Sequence, residues 1–174
     1  MEIVADAVVP YPRPRVFATY RDSLVELVPH LPNIRSIEVK KRVDRGAEVE
    51  FVNEWKGGGD IPAVARSVLS ESMLSWTDHA TWFESDFHVD WRTDIHAFPG
   101  AVKSEGKNRY IEVPEGTRLE VRGHFTIDAT KVPGVPRMFA KTVGATVEKF
   151  MVTQIQRNTL ETVRGLTKLL AKQS

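Results

Sequence analysis

A long apolar stripe near the carboxyl end constrains the fold more than any other feature of this sequence. Residues suited to burial recur there every three or four positions: Val143, Val147, Met151, Ile155, Thr159, Val163, Leu166 and Leu170. This spacing predicts an amphipathic α-helix with a continuous apolar face of about six turns. Such a helix must pack on an apolar surface of similar length, which the rest of the chain has to supply.

Most of the chain before this helix has the pattern of β-strands. Alternation with a period of two, bounded by turn residues, predicts strands over residues 2–9, 34–43, 46–57, 75–85, 88–98, 103–113 and 117–128. Several of the turns are short, so consecutive strands pair as antiparallel hairpins. The seven strands therefore predict one antiparallel sheet, the only surface large enough to cover the helix.

A helix pair is predicted between the first two strands. Pro14 suits the first turn of a helix, and apolar residues follow at helical spacing from Val16 to Leu31. Pro29 and Pro32 divide this stretch into two pieces. The element order thus predicts an α+β fold: a curved seven-stranded antiparallel sheet wrapped around a long C-terminal helix, with a short helix pair after strand 1. Such an arrangement often leaves a cavity between sheet and helix.

Residues 60–74 have an ambiguous pattern. Asp60 could cap a short helix with Ile61, Val64, Ala65 and Val68 on one face, and a short strand is the alternative. The pattern leaves open whether this segment is a lid over the cavity or a fixed connection.

Composition is that of an ordinary globular chain. The 174 residues suit a single domain over residues 1–174, and 41% of them are hydrophobic. A net charge of +1 gives no indication of nucleic acid binding. The absence of cysteine excludes disulfides, thiolate catalysis and Cys-containing zinc sites. Because no leader pattern and no transmembrane-length apolar run is visible, we expect a cytoplasmic location.

Two segments and the element order carry a family resemblance. Residues 30–34 read HLPNI, and the terminal helix contains VEKFMVTQIQRNTLETVRGL. The whole pattern resembles the helix-grip superfamily of START lipid-transfer domains, pollen-allergen-like proteins and bacterial polyketide cyclases; HLPNI is similar to a helix-to-strand corner of the cyclase branch. The resemblance covers nearly the whole chain. It implies an internal pocket for a hydrophobic or amphipathic molecule, and we expect no cofactor.

The tryptophan-rich stretch 76–91, WTDHATWFESDFHVDW, indicates which faces of the strands are buried. It contains three of the four tryptophans. Side chains alternate between the two faces of a strand. The alternation places all four tryptophans on the inner face of the sheet: Trp55, Trp76, Trp82 and Trp91.

A two-residue turn at positions 86–87 fixes the predicted register of this hairpin. It would place Trp82 directly opposite Trp91 on the inner face. Glu84 would then lie beside Val89 on the same face, inside the fold.

A second turn, at positions 114–116, sets the faces of the next hairpin. Read as a three-residue turn, it places Ile111 and Val113 on the inner face. Arg109 has the same parity and would also point inward.

These faces define a candidate pocket with mostly aromatic walls. Its predicted lining is Asn53, Trp55, Trp82, Trp91, Phe125, Met151 and Ile155. Asp78, Glu84 and Arg109 would orient a polar part of the ligand. The structural alternative is that both carboxylates lie near strand ends, in solvent or paired with Arg109, because an isolated buried charge is costly.

Three functions are consistent with this pocket. The first is binding, with or without transport, of a hydrophobic or amphipathic small molecule such as a lipid, quinone or polyketide. The second is catalysis of the polyketide cyclase or aromatase kind, with Asp78 or Glu84 as the acid–base group. The third is a protein-interaction module like co-chaperone relatives of the fold, which would expose a large apolar patch.

The histidines do not form a metal-ligand pattern. By parity His79, His88 and His96 all lie on the outer face, and no HExxH spacing occurs. We therefore predict no metal site.

A basic run lies between the second and third strands: Lys40, Lys41, Arg42 and Arg45. The simplest interpretation is a solvated hairpin end. Transient contact with an anionic membrane surface is the alternative.

Overall fold

The structure is a computed structural model that describes residues 1–61, 63, 66 and 69–173. Residues 62, 64, 65, 67 and 68 of the ambiguous segment lie outside this described part of the chain. The alternatives of helix or strand, and of lid or fixed connection, therefore stay predictions. The strands are β1 (Glu2–Val9), β2 (Ile34–Arg45), β3 (Glu48–Gly57), β4 (Ser75–Phe83), β5 (His88–Ile95), β6 (Val102–Val113) and β7 (Gly116–Ile127). The α-helices are α1 (Arg13–Asp22) and α2 (Ala140–Lys172), and short 3₁₀ helices span Leu24–His30, Glu71–Met73, Ala129–Lys131 and Arg137–Phe139.

The described strands form one seven-stranded antiparallel sheet. Its order is β1-β7-β6-β5-β4-β3-β2, so β1 and β2 are the two edges. Helix α2 packs along the concave face, mainly against β1 and β7. This architecture confirms the predicted α+β helix-grip fold.

The helix pair after β1 is also confirmed. Pro14 lies in the first turn of α1, where the missing N–H of proline costs no helical hydrogen bond. The second piece, Leu24–His30, is a 3₁₀ helix that contains Pro29. Phe17 of α1 and Leu27 of the 3₁₀ helix are almost fully buried, so the pair closes one part of the concave face.

The apolar stripe of α2 is buried unevenly along its length. Leu166 and Leu170 are fully buried against the core. Met151 and Ile155, which lie roughly three to four turns before Leu166, are only half-buried. The C-terminal part of the helix therefore packs tightly, whereas its middle leaves space between helix and sheet.

Two glycines allow a close approach in the middle of the sheet. Gly106 and Gly123 are paired across β6 and β7. A Cβ at Gly106 would lie 2.5 Å from the backbone oxygen of Arg122 and 2.5 Å from Cζ2 of Trp91. The Trp91 ring thus occupies the space that side chains at these two positions would need.

The β4–β5 turn is longer than predicted. Phe83 pairs with His88, so residues 84–87 form a four-residue turn. Phe87 adopts φ 54° and its carbonyl oxygen accepts a hydrogen bond from the backbone N–H of Tyr110. The predicted two-residue turn is therefore wrong. The hydrogen bond from Tyr110 ties the longer turn to β6.

The longer turn shifts the register but preserves the faces. Val89, and not Trp91, lies opposite Trp82, and Trp91 pairs with Ala80. The predicted direct pair of the two tryptophans is therefore wrong. Since the shift is by two residues, both rings keep the predicted inner face.

The β6–β7 turn is shorter than predicted, and this difference exchanges the inner and outer faces of β6. Val113 pairs with Gly116, so the turn has two residues. Gly116 has φ 136°, a conformation that glycine adopts readily. A difference of one residue moves every β6 side chain to the other face. Arg109, Ile111 and Val113 therefore lie on the outer face, and the predicted inward position of all three is wrong.

Candidate functional site

A cavity of about 240 Å³ lies between the concave face of the sheet and the middle of α2. Aromatic side chains form much of its wall: Tyr20, Trp55, Trp76, Trp82, Trp91 and Phe125. Helix α2 contributes Met151, Gln154, Ile155, Asn158, Thr159 and Thr162. The cavity therefore occupies the space where the apolar stripe of α2 is only half-buried.

Ring contacts and one hydrogen bond hold the aromatic wall in place. Trp55 and Trp76 stack with ring centroids 5.8 Å apart. Trp82 meets Tyr20 edge to face at 5.6 Å, a favourable geometry for aromatic pairs. The indole Nε1 of Trp91 donates to Oδ1 of Asn108 at 2.9 Å. These contacts pack the rings against their neighbours within the wall.

Asp78 brings a carboxyl group to the cavity wall. It lies on β4, and Nδ2 of the buried Asn53 donates to its Oδ2 at 3.3 Å. Burial raises the pKa of Asp78 from 3.8 to about 6, and the hydrogen bond from Asn53 opposes this shift only in part. The carboxyl group therefore changes charge near neutral pH, inside an aromatic wall.

Tyr20 brings a neutral hydroxyl to the same region. Burial raises the pKa of Tyr20 to about 12, the hydrogen bond with Thr162 lowers it, and the nearby charge of Asp78 raises it further. The phenol thus keeps its proton at physiological pH. Tyr20 links α1 to α2 beside the carboxyl group.

Three buried polar atoms of the cavity wall have no hydrogen-bond partner among the described residues. They are Oδ1 of Asn53, Nε1 of Trp55 and Oδ1 of Asn158. Buried polar atoms are nearly always paired with protein, water or ligand. Two acceptors and one donor of the wall residues are therefore unpaired within the described part of the structure.

The HLPNI segment lies at the rim of the cavity. Leu31 and Ile34 line the wall, and Nδ2 of Asn33 donates to Oε1 of Gln154 at 2.6 Å. A Cβ at Gly165 would lie 2.9 Å from Cβ of His30, so the segment packs directly on α2. This corner positions the middle of α2 relative to β2.

Most of the residues in the predicted site line the cavity. These are Asn53, Trp55, Asp78, Trp82, Trp91, Phe125, Met151 and Ile155. The structure brings them together around one space. Their role in binding a ligand remains a prediction.

Two residues of the predicted site lie elsewhere. Glu84 is in the β4–β5 turn with 58% of its side chain exposed, and its Oε2 is 3.6 Å from a guanidinium nitrogen of Arg21. Arg109 is exposed on the outer face, near Asp86 and His88. The two turns with lengths other than predicted explain both displacements.

Several wall residues are missing from the predicted site. Tyr20, Trp76, Asn108 and Thr162 all line the cavity. Trp76 has the inner parity of its strand and could have been included on that ground. The inward position of Asn108 follows once the β6–β7 turn is given its correct length of two residues. No local sequence pattern indicates that Tyr20 of α1 and Thr162 of α2 meet.

The histidines of β4 and β5 have partners on the outer face. Nε2 of His79 is 2.9 Å from a carboxylate oxygen of Asp94, and Nδ1 of His88 is 2.7 Å from one of Asp86. Across residues 1–61, 63, 66 and 69–173, no group of three or more acidic or histidine side chains is arranged to hold a metal ion. In the same residues, no helix has the length and apolar character needed to cross a membrane.

Solved structures match the chain, although no protein-family model and no curated protein does. The TTHA0849 protein from Thermus thermophilus has 21% identity and a TM-score of 0.67, with full coverage of both chains. Zhui aromatase/cyclase from a Streptomyces species has 12% identity and a TM-score of 0.62, over 97% of this chain and 92% of its own. Ara h 8.0201 has 12% identity and a TM-score of 0.54, over 99% and 98%.

This structural similarity establishes the fold of the chain and does not establish its function. The chain has the helix-grip fold that polyketide aromatase/cyclases and Ara h 8.0201 also have. The predicted resemblance is confirmed at that level. Because one fold hosts many activities, the function has to be inferred from the residues of the cavity.

Proposed function

We propose that this protein binds a hydrophobic or amphipathic small molecule, such as a lipid, quinone or polyketide, in the cavity between the sheet and α2. The observation that carries the proposal is an aromatic cavity with unpaired buried polar atoms in its wall. Binding sites commonly combine apolar walls with a few polar groups that fix orientation. The fold shared with polyketide aromatase/cyclases supports the same conclusion.

The wall indicates the chemistry of a suitable ligand. Among the described residues, Oδ1 of Asn53 and Oδ1 of Asn158 are unpaired acceptors, whereas Nε1 of Trp55 is an unpaired donor. A molecule with an apolar body, hydroxyl donors and a carbonyl acceptor satisfies all three. The volume of about 240 Å³ is below the roughly 300–1,000 Å³ of drug-sized sites, which favours a compact ligand.

A pair of matched threonine substitutions on α2 tests this proposal. Thr159 lines the cavity and Thr153 is exposed, and each hydroxyl donates to the backbone oxygen four residues earlier. Thr159→Leu fills part of the cavity, so it should weaken binding of a hydroxylated naphthoquinone by about tenfold. Tryptophan fluorescence quenching measures this affinity, with Thr153→Leu as the control.

Native mass spectrometry of freshly purified protein, followed by denaturing extraction, provides the ligand class directly. A bound lipid, quinone or polyketide mass that disappears in Thr159→Leu would support the cavity. Equal affinity of wild type, Thr159→Leu and Thr153→Leu for the quinone would contradict it.

One observation favours catalysis as a second candidate function. Asp78 lies among tryptophans with its pKa raised to about 6, as suits an acid–base group near neutral pH. Asp78→Asn should then lower turnover of a poly-β-ketone substrate mimic by about 10²–10⁴-fold. Glu84→Gln is the matched control, because Glu84 is exposed outside the cavity. Equal turnover of Asp78→Asn and wild type would remove this candidate.

A further inference from the structure

Two large apolar side chains are exposed immediately before α2. Met138 is 81% exposed and Phe139 is 53% exposed. Both lie in the 3₁₀ helix Arg137–Phe139, which runs directly into α2. Adjacent exposed apolar side chains with a polar rim are a feature of protein and membrane interaction sites.

Exposed cations precede and follow this apolar pair along the chain. Arg137, Lys141 and Lys149 are exposed, and residues 129–147 contain no acidic side chain. Positions 138, 141, 145 and 149 follow one another at intervals of three and four, so they lie along one side of the helix. Met138, Lys141 and Lys149 therefore share one side of the helix, and Arg137 and Phe139 are the sequence neighbours of Met138.

These cations differ from the other basic cluster of the protein. At the β2–β3 hairpin, Lys40 pairs with Glu38 at 2.8 Å, and Arg45 pairs with Glu50 at 3.2 Å. Among the described residues, Arg137, Lys141 and Lys149 form no ion pair. The nearby carboxylates are engaged elsewhere, since Asp128 pairs with Lys131 and Glu148 with the N-terminal amine.

The apolar pair also lies at the same end of the sheet as one end of the cavity. Strands β3, β5 and β7 end there and β4 and β6 begin there. Trp76 and Ile95, the last paired residues of β4 and β5 at this end, line the cavity. The segment between Ile127 and Ala140 follows β7 at the same end.

We propose that Met138 and Phe139, flanked by Arg137, Lys141 and Lys149, form a docking surface for an anionic lipid bilayer. The two apolar side chains insert among the lipid headgroups, and the cations contact the lipid phosphates and carboxylates. The charge complementarity favours a membrane over a second copy of the chain, because two such basic surfaces would repel each other. Docking would bring the cavity end next to a source of apolar ligand.

Vesicle cosedimentation tests this surface without any cavity ligand. The wild-type protein should bind phosphatidylcholine vesicles containing about 30% phosphatidylserine, and binding should fall with added salt. Met138→Asp combined with Phe139→Asp should weaken binding at least about tenfold. Val8→Asp is the matched control: Val8 is 44% exposed at the opposite end of the sheet, near Gly116.

A second double variant tests the contribution of the cations without changing Met138 or Phe139. Lys141→Gln combined with Lys149→Gln should weaken binding to the anionic vesicles by about fivefold for each charge removed. Both double variants should retain the wild-type melting temperature, since every altered side chain is exposed.

Three results would overturn the proposal. The first is wild-type protein that does not bind the anionic vesicles. The second is a loss in Val8→Asp equal to that in the Met138 and Phe139 variant. The third is a concentration-dependent dimer that this variant abolishes, with no vesicle binding, which would assign the surface to a second copy. None of these results bears on quinone affinity, so the cavity proposal is tested separately.

Discussion

At the scale of single residues, Asp78 is the group whose chemistry depends most on its surroundings. Its carboxyl group faces the cavity, and burial there raises its pKa to about 6. In the unfolded chain the same group titrates near 3.8. Because the unfolded state loses this proton first, the free energy of unfolding falls as pH rises from about 4 to about 6. The charged form is therefore a cost to stability at neutral pH.

Replacing this carboxyl group should reverse that cost. Asp78→Asn keeps an oxygen that can accept from Asn53, and it has no charge to bury. We expect the variant to be more stable than wild type by about 1–3 kcal/mol at pH 7, and the difference to vanish below pH 4. Urea unfolding at several pH values measures this. A difference that does not change between pH 4 and pH 7, or one that Glu84→Gln reproduces, would contradict the burial of Asp78.

At the scale of elements, two glycines of α2 face different surroundings. A Cβ at Gly144 would have its nearest neighbour at 3.5 Å, an ordinary contact. A Cβ at Gly165 would lie 2.9 Å from Cβ of His30 and 3.2 Å from Cδ2 of Leu27. The first glycine therefore only weakens the helix, whereas the second allows α2 to pack on the 3₁₀ helix Leu24–His30.

Alanine substitutions at the two glycines should have opposite effects. Gly144→Ala should raise the free energy of unfolding by about 0.5–1 kcal/mol, because alanine restricts the unfolded chain and favours helix. Gly165→Ala should lower it by about 1 kcal/mol or more, because the overpacking outweighs the same gain. Thermal and urea unfolding of the two variants measure the difference. Stabilisation by both substitutions would show that α2 does not approach His30 closely.

The elements also show how far the sequence determines the site. Periodicity is a property of each strand alone, so the inner faces of β3, β4 and β5 are predicted correctly, with Trp55, Trp82 and Trp91 among them. Turn lengths depend on contacts that are distant in sequence, such as the hydrogen bond from Tyr110 to Phe87. The predictions that were wrong all rested on turn length: the direct Trp82–Trp91 pair and the inward positions of Glu84, Arg109, Ile111 and Val113.

At the scale of the whole molecule, helix α2 connects the cavity with the proposed docking surface. Its middle lines the cavity, and its first turn follows Met138 and Phe139. The part from Val163 onward packs tightly and anchors the helix. The two surfaces are separate along the helix, so each can be altered without the other.

Because the docking surface and the cavity are separate, we expect variants of each to impair a different step of ligand transfer between vesicles. The Met138→Asp and Phe139→Asp double variant should transfer a fluorescent quinone analogue at least about tenfold more slowly than wild type, with unchanged affinity in solution, because only its encounter with the bilayer is impaired. Thr159→Leu should bind vesicles normally but bind the analogue about tenfold more weakly, because its cavity is smaller. Stopped-flow transfer and solution titration distinguish the two defects. If the docking variant instead lost solution affinity, its apolar pair would belong to the cavity wall, and the surface and the cavity would be one site.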